Sequence, residues 1–132
     1  MDKAIAEDVA RYRRVETGGV LVGRFSTIGN CFQVVDVLPA PVDSKRSRHE
    51  FVLGRKGLQA EAKRLAEASG GALQVLGTWH SHLKPSGPST TYAVAGAILA
   101  FRQFVPALLL IHTPAGYRAL IADARFESSL GA

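Results

Sequence analysis

The chain has 132 residues, 47% of them hydrophobic and 20% charged, which suits one globular domain over 1–132 and excludes a disordered tail, a collagen-like repeat or a disulfide-stapled miniprotein. Cys31 is the lone cysteine, the apolar runs Ala93–Phe101 and Phe104–Ile111 fall short of a membrane span, and Met1–Asp8 lacks a secretory pattern, so a cytoplasmic protein that avoids membranes is expected. The net charge of +5 invites an acidic or nucleic-acid partner, but the basic clusters Arg11–Arg14 and Lys45–Arg48 carry only Tyr12 as an interleaved aromatic, which disfavours nucleic acid and reads as a solvated helix end and a mobile loop.

From Asp2 to about Arg13, Ile5, Val9 and Tyr12 recur on one helical face. Gly18-Gly19 then opens the apolar run Val20-Leu21-Val22, and Gly29-Asn30 turns the chain into Cys31–Leu38. The two runs predict an antiparallel hairpin. Pro39–Glu50 is polar and reads as a surface loop, with Phe51-Val52-Leu53 as a short strand after it. Leu58, Ala62 and Leu65 predict a second amphipathic helix, stopped by Gly70-Gly71. Leu73–Trp79 returns to strand. Ser89 is placed to cap a helix bearing Val94, Ala97, Ile98 and Phe101. Val105–Thr113 and Tyr117–Asp123 predict a closing hairpin around Pro114-Ala115-Gly116. The expected fold class is α+β (mixed α/β), a central, mostly antiparallel sheet flanked by helices.

The chemistry concentrates in Gly77-Thr78-Trp79-His80-Ser81-His82. Side chains two apart on an extended chain share a face, so His80 and His82 project together from a strand end while Ser81 points away. Two adjacent imidazoles can supply two ligands of a zinc site, which in a catalytic centre also needs a third ligand, an open position and a nearby carboxylate. Taken alone, a His-x-His is more often a surface or hydrogen-bonded pair. Trp79 reads as a half-buried strand aromatic, His112 as a hydrogen-bonded core histidine, His49 as a loop residue and Cys31 as a packing residue.

Val15-Glu16-Thr17-Gly18-Gly19-Val20-Leu21-Val22-Gly23, together with Gly77–His82 and Pro88-Ser89, resembles the JAB/MPN domain, whose metalloprotease members carry the JAMM signature. The resemblance covers nearly the whole chain and lies nearest the prokaryotic members. It implies Zn2+ as cofactor and a peptidase or isopeptidase acting on ubiquitin-like or sulfur-carrier protein conjugates, with an activating-enzyme-like protein as a possible partner. Residue by residue, His80 and His82 match the zinc-binding histidines, Glu16 the general base and Ser89 the serine that stabilises the oxyanion. Without the resemblance, Glu16 is an ordinary carboxylate at a helix–strand junction and Ser89 a helix cap.

The family places an aspartate three residues after that serine, as the third zinc ligand. Position 92 is Tyr92, and the commoner spacing puts Thr90 and Ala93 at the two positions instead. Three accounts stay open. Tyr92 ligates as a phenolate; Asp123 substitutes; or the domain is a catalytically inactive MPN-type protein-binding module.

Overall fold

A computed structural model describes residues 1–26, 28–29, 31–84 and 107–122. The chain opens with helix α1 (Asp2–Arg11), whose acidic first turn and basic last turn complement the helix dipole. Strands β1 (Gly18–Ser26) and β2 (Cys31–Pro39) form the expected antiparallel hairpin. The Pro39–Glu50 stretch differs from the expected loop: β3 (Lys45–Arg46) pairs antiparallel with β4 (Phe51–Val52) as a separate two-stranded sheet. A two-residue strand has too little pattern to stand out from polar loop sequence.

Helix α2 (Leu58–Ala68) ends in a complete Schellman motif. The Gly71 N–H donates to the Ala66 carbonyl at 2.8 Å and the Gly70 N–H to Glu67 at 3.1 Å. Gly70 takes φ +64° to do so, a conformation that favours glycine. The reversal delivers the chain into β5 (Gln74–Ser81), which pairs antiparallel with β1. Strand β6 (Ala107–Thr113) lies parallel to β5, and β7 (Gly116–Ala122) returns antiparallel to β6 around the predicted turn.

Among the described residues the main sheet is therefore β2-β1-β5-β6-β7, mixed through the parallel pair β5–β6. Parallel neighbours need a crossover connection. The helix expected after Ser89 belongs to that connection and lies outside the described residues, as do Ser89, Tyr92 and Asp123. The architecture is α+β of the JAB/MPN-like kind.

The innermost strands are the most buried. Val20, Leu21 and Val22 of β1 are within 1% of full burial, as a central strand covered on both faces requires. Ile5 of α1 packs with Leu21, Leu76, Trp79 and Leu110 in one cluster, so α1 covers the sheet face that Trp79 presents. Trp79 is only 2% exposed, a core residue rather than a half-buried one. Cys31 corrects in the other direction. It lies exposed on β2, on the face it shares with Gln33 and Val35, while Phe32 and Val34 on the other face pack against the core.

Among the described residues no helix is long and apolar enough to cross a membrane.

Candidate metal-binding active site

The site forms where the start of β1 meets the end of β5. Gly18 pairs with His80 and Gly19 with Trp79. A side chain at Gly18 would collide with the Trp79 carbonyl and the Phe51 ring, so the glycine permits the close approach of β1, β5 and β4. Just before β1, the ladder continues through a side chain. The Ser81 N–H donates to the Thr17 carbonyl at 2.8 Å, and the Thr17 N–H donates to Ser81 Oγ at 3.0 Å. Ser81 thus laces the segment carrying Glu16 to the strand carrying both histidines.

Alternation along the chain separates the faces. Thr17 and Ser81 bond to one another and Thr17 reaches Asp8 of α1. Their neighbours Glu16, His80 and His82 gather on the opposite side. The His80 and His82 rings meet edge to face with centroids 4.6 Å apart, so the two imidazoles project together as the strand geometry predicts. His82 Nε2 lies 4.0 Å from Glu16 Oε1. The backbone of His82 is held by β6, its N–H donating to the His112 carbonyl at 2.8 Å.

All three side chains are withdrawn from water. Glu16 is 7% exposed and His80 6%. Burial pushes the Glu16 carboxyl above its usual range; His82 and His49 pull it back down, and Glu50 pushes it up. Burial, helped by the neighbouring His82, drops the His80 imidazole from 6.5 to about 4. His80 is therefore neutral at pH 7, the form that coordinates a metal. Two nitrogen donors and an adjacent carboxylate fit the beginnings of a Zn2+ site. The described residues contain no cluster of three or more His, Cys, Asp or Glu side chains able to hold a metal.

Of the residues singled out in the sequence, Glu16, His80 and His82 come together, while Ser89 and Tyr92 lie outside the described residues. His112 is half-buried on β6, its ring edge-on to Tyr117 at 5.3 Å. His49 is exposed, yet with Glu50 it falls within electrostatic reach of Glu16. The sequence assigns Thr17 and Asp8 no role, gives Ser81 only as pointing away from the histidines, and gives Arg46 only as part of a solvated basic cluster. Arg46 in particular is not a solvated loop cation: it lies 4.1 Å over the Tyr12 ring and donates from Nε to Thr17 Oγ1 at 2.9 Å. One signal was present, since Thr17 sits between the carboxylate and the glycine pair.

A buried imidazole pair with a carboxylate beside it, at the end of a central strand of an α+β sheet, offers two nitrogen donors and a proton acceptor, the parts from which metal-dependent hydrolases build their sites. The family model for prokaryotic homologs of the JAB domain matches residues 1–91, and the chain belongs to that family. The chain is also 29% identical over 80 residues to a protein named "Probable metalloprotease y4qB" from Sinorhizobium fredii (strain NBRC 101917 / NGR234). That match covers 61% of this chain and 48% of the relative, so the chain spans about half the length of the curated relative it matches.

Proposed function

We propose that the chain is a Zn2+-dependent metallopeptidase, isopeptidase-like, acting on ubiquitin-like or sulfur-carrier protein conjugates. The observation that carries this reading is the approach of the Glu16 carboxylate to His82, beside the neutral His80, on one buried face. Membership of the prokaryotic JAB family and the name of the rhizobial relative support it.

His80 and His82 would hold the ion, with Tyr92 as the third ligand. Zn2+ bound there supplies Lewis-acid polarisation of a carbonyl oxygen and acidification of water. Glu16 accepts a proton as water attacks the scissile carbonyl and returns it to the departing amine nitrogen. Its raised pKa suits both halves of that cycle, because a carboxyl that protonates more readily can also donate. Ser89 would donate a hydrogen bond to the oxyanion. The substrate tail, a cytoplasmic setting and an activating-enzyme-like partner belong to the same proposal.

The test is hydrolysis of a ubiquitin-like protein carrying a C-terminal arylamide, by the zinc-loaded and the chelated chain. Zinc-dependent release that disappears in Glu16→Gln supports the reading, and release that survives chelation overturns it. Tyr92, standing where the family has aspartate, favours a second reading: a catalytically inactive MPN-type module that binds the same class of tail. Binding of the tail without zinc-dependent release would select it.

A further inference from the structure

Thr17 is fully buried, and its single hydroxyl is used at both ends. Oγ1 donates to Asp8 Oδ2 at 2.6 Å and accepts from Arg46 Nε at 2.9 Å. A hydroxyl between a carboxylate and a guanidinium is polarised by both, which strengthens and aligns the chain of bonds. The Arg46 guanidinium is fixed in turn, 4.1 Å over the Tyr12 ring and 5.7 Å from the Phe51 ring centroid. Tyr12 closes α1 and Phe51 lies on β4. Helix, hairpin and the entry to β1 are therefore tied at one point, directly behind Glu16.

The next residue of the hairpin completes the grip. The Ser47 carbonyl accepts the Glu16 N–H at 2.8 Å, and the Ser47 N–H donates to the Glu50 carbonyl at 2.9 Å, closing the turn. Glu16 is thus held by its own N–H on the hairpin, and through Thr17 on Arg46, Asp8 and Ser81. With Thr17 anchored on the α1 side, alternation directs the Glu16 side chain to the histidine side.

We propose that Arg46, acting through Thr17, is a positioning residue for Glu16, so that the β3–β4 hairpin clamps the catalytic base in place. The proposal rests on the reading of Glu16 as the base. A small displacement of a reacting group costs up to about a hundredfold in rate, so the clamp governs turnover rather than ligand binding.

The experiment compares the full-length chain with Arg46→Met, Thr17→Val and Thr17→Ser. Arg46→Met keeps an apolar stem against Tyr12 and Phe51 but loses the bond to Thr17. Amide hydrogen exchange reads the clamp directly, without activity. The Glu16 amide should exchange roughly tenfold faster in Arg46→Met and Thr17→Val, with Leu76 and Leu110 amides unchanged and Thr17→Ser close to the parent. With zinc bound and the ubiquitin-like arylamide as probe, kcat should fall by roughly tenfold to a hundredfold at unchanged KM and zinc affinity. Parent-like exchange at Glu16, faster exchange throughout β5 and β6, or faster Glu16 exchange with parent-like kcat would each overturn the proposal. If the parent shows no zinc-dependent hydrolysis, the base reading and the clamp's catalytic role fall together. Exchange at Glu16 then still reports whether the physical clamp exists.

Discussion

Glu16 Oε1 lies 4.0 Å from His82 Nε2, although Glu16 precedes β1 and His82 follows β5. Both side chains are close to nine-tenths buried. The antiparallel pairing of β1 with β5 brings them together, and the Thr17–Ser81 bonds extend that pairing past the last regular ladder residues. Separating the two strands at this end would separate the base from the imidazoles.

Glu16→Gln keeps the shape and the backbone bond to Ser47 but removes the proton acceptor. Hydrolysis by the zinc-loaded chain should fall by about 10²–10⁴-fold, while zinc affinity, read by competition with a chromophoric chelator, should change far less, because Glu16 is assigned as proton acceptor and not as ligand. Unchanged hydrolysis in the variant would take Glu16 out of the chemistry.

The buried His80 makes the metal-free fold acid-sensitive. Unfolded, its imidazole titrates near 6.5; in the fold it titrates near 4. Between those values the unfolded chain binds the extra proton, so stability is complete above about pH 6.5 and declines as pH falls towards 4. The loss is on the order of 3 kcal/mol. Urea unfolding of chelated protein at pH 4.5 and 7 measures it, and His80→Gln should flatten the difference by most of that amount. An equally steep variant would assign the acid sensitivity to other groups.

Gly18 is the close-approach point of the site. Gly18→Ala sets a methyl against the Trp79 carbonyl and the Phe51 ring, so β1 must move from β5 or the hairpin must lift. About 1–3 kcal/mol of stability should be lost. Gly29→Ala meets only ordinary contacts, at 3.7 Å from Cys31 Cβ and Ser26 Oγ, and should stay within about 0.5 kcal/mol of the parent. Equal urea midpoints for the two variants would show that β1 and β5 tolerate a wider separation.

The sequence carried the main sheet well because long strands write period-two or continuous apolar patterns. Val20–Val22 and Cys31–Leu38 both announce themselves in this way. The histidine pair was legible for the same reason, since residues two apart must share a face. Arg46 was not legible. A basic residue in a polar stretch looks solvated, and only the tertiary meeting of Tyr12, Phe51 and Thr17 makes it a fixed donor. Cys31 differs from expectation because only the Phe32 and Val34 face of that stretch of β2 meets the core, a choice of face that a tertiary contact makes and an apolar run does not reveal.

Tyr92 stands where the resemblance to the JAMM signature, counted from Ser89, would place an aspartate. A carboxylate three residues after Ser89 would be a hard oxygen ligand, or the acid of a capping arrangement. A phenol offers oxygen on a longer side chain and must lose a proton that ordinarily leaves near pH 10. Tyr92→Asp is therefore expected to raise zinc affinity by about ten- to a hundredfold, the scale of a repaired ligand shell, and to raise hydrolysis while Glu16 is kept. Zinc titration of the parent, Tyr92→Asp and Tyr92→Phe separates the accounts. A gain in the aspartate variant, with the parent and the phenylalanine variant equally weak, identifies a degenerate site. A loss in both variants identifies the phenol as a ligand. Three matching titrations would mean that position 92 does not face the metal, leaving His80 and His82 to find their third ligand elsewhere.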